Sequence, residues 1–152
     1  MKDRGAIVPA GHMADGAYWF NGETGKWESS SYYPNASPAW LSQFNATDWN
    51  KSYLEKNWTL SLGPKNYSES EPDENNFERP FSKEGSVSFP YDLKKLKEEK
   101  GWGILKQIPQ GNQMTIDLSK KLIEAEALGK DDKSDFLSIS FSATDYVGHN
   151  FG

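Results

Sequence analysis

The sequence predicts an α/β protein: part of a mainly parallel sheet, flanked by helices and interrupted by a large insertion. Three observations carry this. Residues 112–142 read as helix, tight turn and strand, which is half of an α/β crossover unit. Residues 2–8 suit a short strand that Pro9 and Gly11 then break. Between these, residues 15–110 read as one large insertion, and 1–152 as the central fragment of one domain.

The elements follow in order. Ala17-Tyr18-Trp19-Phe20 is apolar and suits a strand or a short buried helix. Asn21-Gly22 and Thr24-Gly25 are turn signals, with Lys26 to Tyr33 a returning strand. Ser37-Pro38 pairs a capping residue with proline at the first helical position. Trp40, Leu41, Phe44, Trp49, Tyr53 and Leu54 then space one or two short helices over residues 38–57. From Gly63 to Phe89 the chain is rich in Pro, Asn, Ser, Glu and Gly without a period, a long surface excursion. Asp92 to Lys100 is a charged helical turn or two. Asn112 can cap a helix with Met114, Leu118, Leu122 and Ala125 on one face, and Gly129 can end it. Asp135 to Ser142 alternates Leu137, Ile139 and Phe141 with serines, as a strand does. It leads into Asp145, beyond a strand's carboxyl end, where open α/β sheets gather their ligands.

Composition narrows the classes. A formal net charge of −5 argues against a protein that binds nucleic acid through its phosphates. There is no cysteine, so disulfides and thiolate metal sites are excluded. No apolar run is long enough to span a bilayer. Aromatics reach 14%, which supplies a core despite the polar composition. The chain reads as an internal piece: Lys2-Asp3-Arg4 opens inside a folded element, and Gly148 to Gly152 breaks off in a loop.

Few residues carry chemistry. Asp145 and His149 stand four apart with Gly148 between them, which permits the sharp backbone path that would let both converge on one cation. Zinc suits such donors but takes at least three from protein. A capping aspartate and a half-buried histidine fit the same residues. Lys2 and Arg4, on a strand, face one side and can reach one anion; two solvated surface charges are the better reading of the pair taken alone. The aromatics of residues 18–58 fit a core better than a binding platform. His12 takes a structural role.

Lys2-Asp3-Arg4-Gly5-Ala6-Ile7, Ala14-Asp15-Gly16-Ala17-Tyr18-Trp19-Phe20, Thr24-Gly25-Lys26-Trp27 and Ser30-Ser31-Tyr32-Tyr33 form a set with Phe89-Pro90-Tyr91-Asp92 and Pro109-Gln110-Gly111-Asn112-Gln113. Together they resemble the secreted, zinc-dependent alkaline phosphatases of Bacteroidetes-type bacteria. Those belong to the alkaline phosphatase superfamily, near its type I phosphodiesterase/nucleotide pyrophosphatase branch. Ser142-Ala143-Thr144-Asp145-Tyr146-Val147-Gly148-His149 resembles their zinc motif.

The resemblance implies an alkaline phosphatase-like fold whose insertion at 15–110 forms a cap beside the active site. It implies hydrolysis of small-molecule phosphate monoesters through a phosphoenzyme, with two zinc ions about 4 Å apart. Asp145 and His149 would bind one zinc; Lys2 and Arg4 would hold phosphate oxygens, favouring monoesters over diesters. The family's nucleophile, its neighbouring asparagine and a first aspartate ligand have no match here and are expected upstream. The remaining ligands are expected downstream. No catalytic residue is therefore named in this chain, which alone is expected to be inactive and to hold zinc weakly. Its partners would be the missing N- and C-terminal parts, and its location periplasmic or secreted, with a signal peptide upstream. A phosphodiesterase or nucleotide pyrophosphatase of the same superfamily, and a non-catalytic aromatic-rich binding module, are the alternatives.

Overall fold

Asn21 starts a hairpin where the turn signals fall. β1 (Trp19–Asn21) and β2 (Lys26–Glu28) pair antiparallel, with Phe20 opposite Trp27. The Asn21 side-chain oxygen accepts from the backbone N–H groups of Glu23 (2.8 Å) and Thr24 (3.2 Å), and Gly25 supplies the φ of 70° that closes the turn. One face carries Phe20 and Trp27 into the core, edge to face at 5.7 Å between ring centroids. On the other, the Trp19 indole N–H donates to Glu28 (2.8 Å). Asn45 closes the free edge of β2: it accepts from the Trp27 N–H (2.9 Å) and donates to the Trp27 carbonyl (2.7 Å), as a third strand would.

The computed structural model describes residues 1–151 apart from Asp73, Lys83, Glu84 and Ser86; Gly152 also lies outside the described residues. The excursion from Gly63 to Phe89 and the closing Gly148–Gly152 stretch are therefore described only in part. Helix α1 is Asp3–Ala10, α2 is Ala39–Ala46 and α3 is Trp49–Ser52. Next come a 3-10 turn at Pro64–Tyr67, helix α4 (Leu93–Lys100), a 3-10 segment at Gly101–Gln107, α5 (Gln110–Ala125) and α6 (Ala143–Phe151). One core joins them. Phe20 and Trp27 of the hairpin, Leu41 of α2, Leu93 and Leu96 of α4, Ile104 and Leu105, and Met114 and Leu118 of α5 share it with Met1. The aromatics of residues 18–58 thus serve packing, with Trp49 stacked between Phe44 (5.2 Å) and Trp27 (6.2 Å).

Several expectations need correction. The structure has no parallel sheet among its described residues; β1 and β2 are its two-stranded, antiparallel sheet. Residues 135–142 form no strand, leaving Phe136, Ile139 and Phe141 exposed, because their alternation states a preference that only a neighbouring strand can satisfy. Residues 2–8 are not a strand. So short a run fits both periods, and Asp3 in the first turn favours the helix through its dipole. Helix α2 begins at Ala39 with Pro38 as its cap, so Ser37 does not cap it. Helix α5 begins two residues before Asn112, which lies inside it, and ends at Ala125 rather than at Gly129. Ala125 is exposed, while Met114 and Leu118 are buried as expected. The helices at 39–52 and 93–100 stand where the spacing put them, and Asp92 caps α4 by accepting from the N–H groups of Lys94 and Lys95.

Candidate active site

Lys2 and Asp145, 143 residues apart in sequence, meet: the Lys2 ammonium donates to Asp145 Oδ2. Lys2 precedes the first turn of α1 in extended conformation, and Asp145 lies in the first turn of α6. The ammonium also stands 4.4 Å from the centroid of the Tyr146 ring, a cation–π distance. His149, one helical turn beyond Asp145, places its Nε2 3.7 Å from Asp145 Oδ1. The Lys2 hydrogen bond holds the Asp145 carboxyl below the usual carboxylate range against a partial loss of hydration, and the charges of Lys2, His149 and Arg4 add to it. All four residues singled out from the sequence thus belong to one neighbourhood.

They reach it by routes other than those expected. Lys2 and Arg4 share a helix start, not a strand face. Asp145 and His149 converge because they are one helical turn apart, and no sharp bend at Gly148 is needed, since that residue sits inside α6 without a positive φ.

The framework comes from residues to which the sequence gave other roles or none. Asn112 caps α6 rather than its own helix: its Oδ1 accepts from the Ala143 N–H (3.3 Å), and its Nδ2 donates to Thr144 Oγ1 (3.1 Å). Gly111 lets the chain pass closely here. A Cβ on it would fall 2.9 Å from Met1 Cε and 3.1 Å from Ala143 Cβ, and would strike the Leu105 carbonyl. Gly5 does the same on the other side, where a Cβ would meet Ser140 Oγ at 2.7 Å. Tyr146, beneath Lys2, lay in the quoted motif without a role. No local signal reveals Asn112, whose partners lie 31 and 32 residues away. His12 bonds Tyr32 through Nδ1 (2.7 Å), a structural use.

Asp145 and His149 fit half of a zinc site. Tetrahedral zinc with donors at 2.0–2.2 Å sets neighbouring donors about 3.4 Å apart, close to the 3.7 Å between Asp145 Oδ1 and His149 Nε2. No group of three or more His, Cys, Asp or Glu suited to a metal exists among the described residues.

No protein-family model matches the chain. Individual proteins do. It is 43% identical over 153 residues to a Myroides odoratus protein named calcium-transporting ATPase, and 42% over 152 residues to alkaline phosphatase PhoV of Synechococcus elongatus. It is 38% identical over 153 residues to alkaline phosphatase PafA of Elizabethkingia meningoseptica. Each alignment covers 99 or 100% of this chain and 28% of the relative. The fold is that of an alkaline phosphatase segment, as the resemblance implied. More particularly, it superposes on the crystal structure of wild-type PafA with a TM-score of 0.92 at 38% identity, covering 99% of this chain and 29% of that one. A PafA variant with a threonine, an asparagine, a lysine and an arginine replaced gives the same TM-score at 36% identity. The chain spans little more than a quarter of the proteins it matches.

Proposed function

We propose that this chain is the part of a phosphate monoester hydrolase that holds the phosphoryl group and one of two zinc ions. The observation that carries the reading is the meeting of Lys2 with Asp145 and His149, from opposite ends of the chain, in the neighbourhood of Arg4. Two relatives and both solved structures bear the phosphatase name. The replaced lysine and arginine of the PafA variant stand two positions apart, as Lys2 and Arg4 do. Its identity to this chain falls from 38% to 36%, the direction expected when two matched residues are lost.

Asp145 and His149 are the residues that hold zinc, one oxygen and one nitrogen donor on a single face of α6. When bound, zinc supplies Lewis-acid stabilisation of phosphate oxygens and lowers the pKa of an oxygen nucleophile. Lys2 and Arg4 bind the non-bridging oxygens: Arg4 offers a planar fork of donors, and Lys2 a point charge that Tyr146 and Asp145 hold in place. Two cations on the transferring group favour a dianionic monoester over a monoanionic diester. Residues 15–110 form a cap beside this site, with β1, β2 and the 101–107 segment as its nearest parts.

The nucleophile, a serine or threonine that takes the phosphoryl group, lies outside this chain. In the PafA variant the replaced threonine and asparagine precede the lysine by more than sixty positions; with that lysine matched to Lys2, both would fall ahead of this chain. This chain alone therefore gives no turnover and binds zinc weakly, while the complete protein works in the periplasm or outside the cell.

The test is monoester hydrolysis by the complete, purified protein from a host lacking its own phosphatase. We expect zinc-dependent turnover, with monoesters preferred over diesters. Asp145→Ala and His149→Ala should each lose about a hundredfold or more of kcat/KM together with bound zinc. Hydrolysis indifferent to zinc and to both substitutions would remove the reading.

A further inference from the structure

Beside Lys2 lies a second feature that the proposed reaction leaves unused. A cleft of about 530 Å³ runs from Lys2 and Tyr146 to Lys100 and Lys106, with Trp19 on its wall. Two glycines, Gly22 and Gly103, are among its lining residues. Gly22 and Gly103 cross so closely that a Cβ on Gly22 would lie 2.9 Å from Gly103 Cα, so no side chain fills the space between the lysines.

The charges lining the cleft are engaged unequally. Glu28 accepts from the Trp19 indole (2.8 Å) and from the Asn21 amide (2.8 Å). Asp3 accepts from the Arg4 backbone N–H (2.7 Å), and Glu23 is exposed. Among the described residues, neither Lys100 nor Lys106 forms an ion pair with a carboxylate. Their ammonium groups stand instead over aromatic rings, Lys100 5.2 Å from the centroid of Phe81 and Lys106 5.9 Å from that of Phe20. Burial lowers the pKa of Lys100, and the neighbouring Glu99 charge offsets this only in part. Two cations held over rings beside an open cleft, with Glu28 and Asp3 of its lining already engaged, make a receptor for an anion.

We propose that Lys100 and Lys106 bind an anionic substituent on the leaving group of the substrate, a carboxylate or a second phosphate. The substrates favoured are then phosphate monoesters of anionic alcohols or phenols. This rests on the phosphatase reading, because Lys2 marks the end of the cleft where the reacting phosphoryl group would sit.

Two readouts on the complete protein separate the cleft from the reaction. The first is the ratio of kcat/KM for 3-carboxyphenyl phosphate to that for phenyl phosphate. In the Lys100→Met/Lys106→Met variant, which keeps both stems over their rings, this ratio should fall about tenfold or more. The Lys100→Arg/Lys106→Arg variant, which keeps both charges, should retain it. The second is calorimetric binding of inorganic pyrophosphate, expected to weaken about tenfold or more in the methionine variant. A ratio and a pyrophosphate affinity that the methionine variant leaves unchanged would overturn the proposal. If neither ester is hydrolysed by the unsubstituted protein but pyrophosphate binding still depends on the two lysines, the anion cleft stands and the hydrolase reading falls. If pyrophosphate does not bind and neither ester is hydrolysed, both fall.

Discussion

At Asn112 one side chain works for a helix other than its own. Its amide holds the N-terminus of α6, so it sets the direction in which Asp145 and His149 leave the backbone. Replacing it by alanine removes an N-cap, which costs about 0.5–2 kcal/mol, whereas aspartate keeps the acceptor and most of that stability. Thermal unfolding of Asn112→Ala and Asn112→Asp, with amide exchange read at Ala143, checks both. The Lys2–Asp145 pair makes a second prediction at this scale. Its carboxyl sits below the ordinary value of 3.8, so between the folded and unfolded values the unfolded chain binds more protons. The stability from the pair is complete above about pH 5 and is lost as pH falls through the folded value. In a carboxyl-detected NMR titration, Lys2→Met should return Asp145 upward toward 3.8.

Helix α6 shows how an element can place residues that a motif only groups. The spacing of Asp145 and His149 was visible in the sequence; that it becomes one face of a helix was not. The two glycines beside the site then behave oppositely. Gly111 is pressed against Met1, Ala143 and the Leu105 carbonyl, and backbone cannot yield as a flexible side chain does. Gly111→Ala should therefore cost about 1–3 kcal/mol or more by overpacking. Gly148 lies within the helix with nothing inside 4 Å of its would-be Cβ. Gly148→Ala should be neutral to stabilising, by up to about 1 kcal/mol. Urea unfolding of the two variants compares them directly. Equal effects would mean that close packing at Gly111 does not matter.

Across the whole molecule, Phe136, Ile139 and Phe141 are exposed on a segment that forms no strand. Isolated in solution, the 152-residue chain should bind the dye ANS and associate as its concentration rises, because apolar side chains on an unpaired strand are a template for pairing. Phe136→Ser/Phe141→Ser should reduce both effects, read by fluorescence and by light scattering. Much of the molecule was legible beforehand. Asn21-Gly22 with Gly25 specifies a hairpin by backbone geometry alone, and the apolar spacings near 40, 93 and 114 specify helices, because both signals are local. The Asp145–His149 spacing and the Lys2–Arg4 pair were visible in the sequence, but it was the family resemblance, not residue types and intervals, that joined them as a candidate site. Tertiary structure decided the rest, since it depends on partners far away in sequence. It made residues 3–10 a helix and left 135–142 without a sheet. It sent the Asn112 side chain to α6, and it brought Lys2 to Asp145. A strand exists only beside another strand and an ion pair only where two distant segments pack, and no short window of sequence states either condition.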